Sequence, residues 1–327
     1  MSSRVFLNEV GLRDGLQAQP KHLTVAERCQ LMDSLLAFGV SAIEAGSFVS
    51  PKAVPQMAGT EEVLRYGLEQ APASRFNVLA PNRKGYDLAV AAGAREVNLV
   101  VSATDTMNQK NINMSTAQIM AVCEGVIESA KHDGVRVNAY VAVAFECPFE
   151  GRVDPGQVIS LTQRLLEYGA DKAVIADTIG AASPFQVSGL LREMCRGIPT
   201  DRLACHFHDT RAMGLANVYG ALEQGVRHFD SSIGGLGGCP FAPGASGNVA
   251  TEDIALLCHQ EGLDTGLDFG AMVAAVELVK QLTGTAKGGR AYYWMSTHME
   301  RFIDNKGEVA WRIVWVSMWG EPSPTSC

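Results

Sequence analysis

His206-Phe207-His208 is the segment of this chain whose residue types and spacing are best suited to chemistry. Two histidines at i and i+2 on a strand point to the same side of a sheet, so they offer two imidazole nitrogens side by side as a metal platform. Alone, the pair is a weak signal, since such histidines are as often surface or core residues. Two further segments strengthen it. Arg13-Asp14 follows one strand-like run, and Gly247-Asn248 ends the loop after another. If those strands are neighbours of the histidine strand, Asp14, His206, His208 and Asn248 converge on one point. Two nitrogens and two oxygens leave room for water and a bidentate substrate in an octahedral shell. That set suits Mg2+ or Mn2+, and also accommodates Co2+ or Zn2+. Structural zinc is disfavoured, because no pair of thiolates accompanies the histidines.

A second reactive segment is the loop Gly234–Gly247, with six glycines in fourteen residues. Such a backbone can take unusual conformations and approach a ligand closely. It lacks the Lys-Ser/Thr ending of a P-loop, which argues against nucleotide binding. Cys239 lies inside it, placed to exchange a proton with a substrate held below; inert packing is the alternative for a lone cysteine. The eight cysteines are scattered without a CxxC pair, so a disulfide framework is not indicated and most read as small buried hydrophobes.

The elements that must position these groups alternate. Strand patterns occur at Val5–Val10, Ala42–Ala45, Phe76–Leu79, Glu96–Val101, Arg136–Ala144, Ala173–Ala176, Leu203–Phe207 and Phe229–Ile233. Amphipathic stretches such as Ala26–Phe38, Ala117–Lys131, Gln157–Tyr168 and Ala216–Gln224 stand between them, and many end in a glycine cap before the next strand. Eight β units in βα order predict a parallel sheet closed into a (β/α)8 TIM barrel. An open doubly wound sheet would carry a GxGxxG turn where this chain has Gly11-Leu12-Arg13-Asp14-Gly15. In a barrel, strands 1, 7 and 8 meet at the closure. Extra C-terminal helices are expected at Thr251–Gln260 and Phe269–Leu282. The division is a barrel domain over 1–283 and an extension over 284–327 that packs on the barrel or on a partner subunit. This aromatic-rich tail holds all four tryptophans, with Trp311, Trp315 and Trp319 at helical spacing.

Composition bounds the remaining classes. With 327 residues, 47% hydrophobic and 19% charged, the chain can bury a large core. A net charge of −8 argues against a general nucleic-acid binder. No window reads as a membrane span and no targeting segment is legible, so a cytoplasmic protein is expected.

Several segments together resemble 3-hydroxy-3-methylglutaryl-CoA lyases. They are Val10–Gln17, Ile43-Glu44-Ala45, Ser47–Lys52, Lys110–Asn113, Asp177–Gly180, His206–Thr210 and Gly234–Asp253, in order over roughly residues 4–283. The resemblance implies that Asp14, His206, His208 and Asn248 are metal ligands. It implies that Arg13 contacts a substrate oxygen, that Cys239 is the catalytic loop cysteine, and that Glu44 and Asp177 are acidic residues around the reacting centre. Those two carboxylates either orient Arg13 or a metal-bound water, or satisfy hydrogen bonds at the barrel mouth. Asn111 and Asn113, with Lys110, are candidate contacts to the acyl or coenzyme portion, a solvated loop being the alternative. His206 is a further candidate for proton transfer, beside Asp14 and water.

The implied reaction is retro-Claisen cleavage of a tertiary 3-hydroxyacyl-CoA by a metal-dependent enzyme, with a homodimer as the expected assembly. Departures from the family pattern, at Ala18–Lys21, Phe145-Glu146 and Arg211-Ala212, bear on the acyl group. They bring citramalyl-CoA or a longer 3-substituted glutaryl-CoA into view as related substrates. A Claisen-condensing acyltransferase is the rival from another class, against which the cysteine loop argues. A catalytically silent barrel is a third reading, disfavoured by the complete set of candidate ligands.

Overall fold

In a computed structural model, which describes residues 3–238 and 247–301, eight parallel strands close into a barrel. They are β1 (Phe6–Glu9), β2 (Ala42–Ser47), β3 (Arg75–Leu79), β4 (Glu96–Ser102), β5 (Arg136–Ala142), β6 (Lys172–Asp177), β7 (Leu203–Phe207) and β8 (His228–Ser231). Each strand pairs with its sequence neighbour, and β1 closes on β8 with Asn8 opposite Asp230. This is the architecture that the β/α alternation predicts.

Strand ends differ from the sequence pattern where a side chain or turn intervenes. The run through Ala144 stops as β5 at Ala142, because Val143 adopts φ 49° and donates its N–H to Thr178 Oγ1. The eighth strand ends two residues earlier than its apolar run, since Ile233–Gly235 coils into a 3-10 turn. A two-strand ribbon, Glu146–Cys147 with Gly151–Arg152, follows β5 and was not visible in the periodicity.

The helices form the outer layer. Thr24 caps the helix Val25–Ala37, Ser115 caps Thr116–Asp133 and Ser183 caps Pro184–Met194, each with a reciprocal capping box. Gly39, Gly93, Gly169 and Gly225, among the glycines that end the amphipathic stretches, have φ between 83° and 111°, which an L side chain resists. The extra helices span Thr251–Gln260 and Phe269–Thr283. Beyond them, the backbone N–H groups of Gly289, Arg290 and Ala291 donate to Glu252 and Asp253, tying the first part of the extension onto the barrel. Trp294 is half-buried and stacks on His298, whereas Trp311, Trp315 and Trp319 lie outside the described residues. Among the described residues, no helix is long and apolar enough to cross a membrane.

Candidate active site

The site lies at the C-terminal ends of the strands, where the direction of the barrel aims β7 and the turns after β1 and β8 at one another. Immediately after β1 the chain forms a π-helical turn, Gly11–Gly15. Glu9 holds both flanks of the closure: Oε1 accepts from Gly11 N and Ile233 N, and Oε2 from the Thr251 hydroxyl. A Cβ on Gly15 would come within 2.9 Å of Ser232 Oγ, so the turn needs glycine to seat against the β8 exit. This seating brings Arg13 and Asp14 over the barrel axis.

His206 and His208 follow at the end of β7, with ring centroids 5.1 Å apart. Their strand pairing places both in the barrel mouth, while Phe207 between them turns into the apolar layer. Asn248 is held opposite by a backbone bridge to His208 and by the Gly237–Gly247 approach, where a Cβ on Gly247 would lie 2.4 Å from Gly235 O. Candidate ligand atoms of Asp14, His206 and His208 all lie within 4.8 Å of one another. His208 Nε2 is 3.6 Å from Asp14 Oδ2, and Asn248 Nδ2 donates to the same oxygen at 2.7 Å.

These residues fit a divalent cation. Among the described residues, Asn248 Oδ1 and His208 Nδ1 are buried without a hydrogen-bond partner, which is costly unless something electrophilic sits there. Burial works against the Asp14 carboxylate, yet the adjacent Arg13 and the two histidines hold it well below the usual carboxylate range. An ionised Asp14 is the form that binds a metal.

Arg13 makes the other half of the site. Its Nε donates to Glu44 Oε2 at 2.6 Å, and Nη1 to Asp14 Oδ1 at 2.5 Å. Burial alone would lower the basicity of this guanidinium, but Glu44 and Asp14 raise it, so Arg13 stays charged. Asp177 is used differently: its two oxygens accept from Ala181 N and Ala182 N at 2.9 Å each, organising the loop after β6. Burial pushes its carboxyl up, opposed by those two donors.

Asn111 and Asn113 are exposed at the end of the helix Asp105–Ile112, and neither is hydrogen-bonded to this cluster. Cys239 lies outside the described residues. Sequence reasoning missed three buried asparagines and a half-buried one, with two partners, Tyr140 and Asp230. A signal existed: Asn8, Asn77, Asn98 and Asn138 occupy equivalent inward positions of β1, β3, β4 and β5, in strands where asparagine is normally scarce.

Comparison with known proteins places this geometry. The chain is 44% identical over 283 residues to the hydroxymethylglutaryl-CoA lyase of Pseudomonas mevalonii, covering 86% of this chain and 94% of that enzyme. It is 40% identical over 289 residues to the (R)-citramalyl-CoA lyase of Chloroflexus aurantiacus, covering 86% and 91%. The crystal structure of hydroxymethylglutaryl-CoA lyase from Pseudomonas aeruginosa superposes with a TM-score of 0.87 at 40% identity, over 91% of this chain and 99% of that one. Residues 4–279 match the HMGL-like family model, and the chain belongs to that family.

Proposed function

We propose that the protein cleaves 3-hydroxy-3-methylglutaryl-CoA to acetyl-CoA and acetoacetate. The observation that carries this reading is the convergence of Asp14, His206 and His208 beside the Arg13–Glu44 pair at the mouth of the barrel. Asp14, His206, His208 and Asn248 would hold the metal, Mg2+ or Mn2+ by the mixed nitrogen and oxygen donor set. When bound, such a cation supplies Lewis acidity toward the substrate oxygens.

The chain's own groups account for the rest. A base at the site, Asp14, His206 or water held by them, takes the proton of the 3-hydroxyl. The O–H electron pair then forms the new ketone, the C2–C3 bond breaks, and its electrons pass to C2 and the thioester oxygen as an enolate. Arg13, kept charged and aimed by Glu44, stabilises that oxygen as negative charge develops. Cys239 returns a proton to C2, and the glycine-rich loop excludes water until it has done so. Asn111 and Asn113 are proposed as contacts to the acyl or coenzyme portion, Asp177 as the organiser of the β6 loop, and a cytoplasmic homodimer as the working form.

A second substrate reading rests on the comparable identity to the citramalyl-CoA enzyme. Mass-spectrometric turnover of Mg2+-loaded protein with both thioesters separates them. Acetoacetate and acetyl-CoA from the first support the proposal. Pyruvate and acetyl-CoA from the second alone replace the substrate, and no product from either removes the lyase reading for these acids.

A further inference from the structure

One carboxylate inside the barrel faces the site without belonging to the ligand set. Asp230, in β8, is buried at 4% exposure and has three hydrogen-bond partners. Oδ1 receives Asn8 Nδ2 at 2.9 Å. Oδ2 receives the Tyr140 hydroxyl at 2.8 Å and faces His206 Nδ1 at 3.0 Å. A carboxylate with these neighbours can only accept, so the contact requires the proton of neutral His206 on Nδ1 and leaves Nε2 bare. A bare Nε2 is the atom that His206 can offer to a cation.

The same carboxylate sets the direction of a longer chain. Asn8 turns its amide nitrogen to Asp230, so its oxygen is left to accept Asn77 Nδ2 at 2.8 Å. Asn77 in turn offers its oxygen to Asn98 Nδ2 at 2.7 Å, and that nitrogen also donates to Glu44 Oε1 at 2.8 Å. Glu44 Oε2 holds Arg13. From His206 to Arg13 every amide has one allowed orientation, because a carboxylate terminates the chain at each end. Ion-pair and hydrogen-bond orientation are thus shared between the two halves of the site.

We propose that Asp230 is the positioning residue of the metal half of the site: it fixes the tautomer of His206 and the direction of Asn8, the first amide of the chain that ends at Glu44. This rests on the metal reading above. Carboxylate partners of histidine ligands raise ligand basicity and set ring orientation, and their loss weakens metal binding by about 10–100-fold.

The test titrates Mn2+ into metal-free wild type, Asp230→Asn and Asp230→Ala, reading free Mn2+ by electron paramagnetic resonance. Affinity is expected to fall about tenfold in Asp230→Asn and about a hundredfold in Asp230→Ala, in proteins that still melt cooperatively. Tight wild-type binding that both folded variants match overturns the inference alone. A wild type that fails to take up Mn2+ overturns the metal reading and this inference with it. If neither variant folds, long-range 1H–15N spectra of the wild type decide, with the His206 signals assigned by a His206→Gln variant. The Nδ1-protonated tautomer supports the proposal, and the Nε2-protonated one overturns it.

Discussion

The two surfaces of the barrel wall were built for different ends. The outer side of the strands packs against the helices in one continuous apolar layer that includes Leu7, Ile43, Phe76, Val78, Val97, Leu99, Val101, Val141, Ile175 and Phe207. Among the described residues, the inner side carries a small separate apolar cluster, Tyr140, Val174 and Ala204 with Val100 packed against it. Near the site the lumen carries Asn8, Asn77, Asn98, Asn138, Glu44, Asp230 and His206, joined by hydrogen bonds. Adjacent residues of one strand serve opposite roles, because side chains alternate across the wall. The apolar layer supplies transfer free energy without direction, whereas a satisfied polar network fixes geometry.

His208→Ala tests the inner side where the effect should be largest. Loss of bound metal by elemental analysis and loss of turnover beyond the hundredfold typical of a supporting residue are expected. Unchanged metal content would remove His208 from the ligand set. Its neighbour Phe207 should behave in the opposite way. Phe207→Ala is expected to cost about 3–5 kcal/mol of stability in denaturant titrations, with Mn2+ affinity of the folded protein retained. A small stability loss there would break the division between the two surfaces.

Arg13→Gln sharpens the comparison within the lumen. A drop of about 10²–10³ in kcat is expected if the guanidinium stabilises the enolate oxygen. A raised KM at constant kcat would instead make Arg13 a binding residue only.

The smallest effect concerns pH. Burial raises Glu252 to about 8 and Glu9 to about 7, against backbone and hydroxyl donors that oppose it. A carboxyl raised in the folded state binds more protons there than when unfolded. Its stabilising contribution is present below the unfolded value and is lost as pH rises through the folded one. Wild-type stability should therefore carry a falling component between about pH 4.5 and about pH 8. Glu252→Gln should flatten it, leaving the part due to Glu9; an identical slope in the variant counts against a protonated Glu252.

Much of the fold was legible because each element carries a local signature. The amphipathic periodicity lies within one helix, and the glycine stops need only their own φ. The His206/His208 pairing on one face follows from strand geometry alone. The sequence by itself therefore determined the β/α order, the barrel and a short list of chemically competent side chains. Only the tertiary structure decided how they are used. Closure of β8 on β1 sets Asn248 against Asp14 across 234 positions of sequence, and five strands meet to join Asp230 to Glu44. Glu44 became the partner of Arg13 and Asp177 an organiser of its own loop by the direction in which each buried carboxylate found donors. Local spacing carries no information about those donors, because a hydrogen bond depends on distance and angle between groups that only the closed barrel brings together.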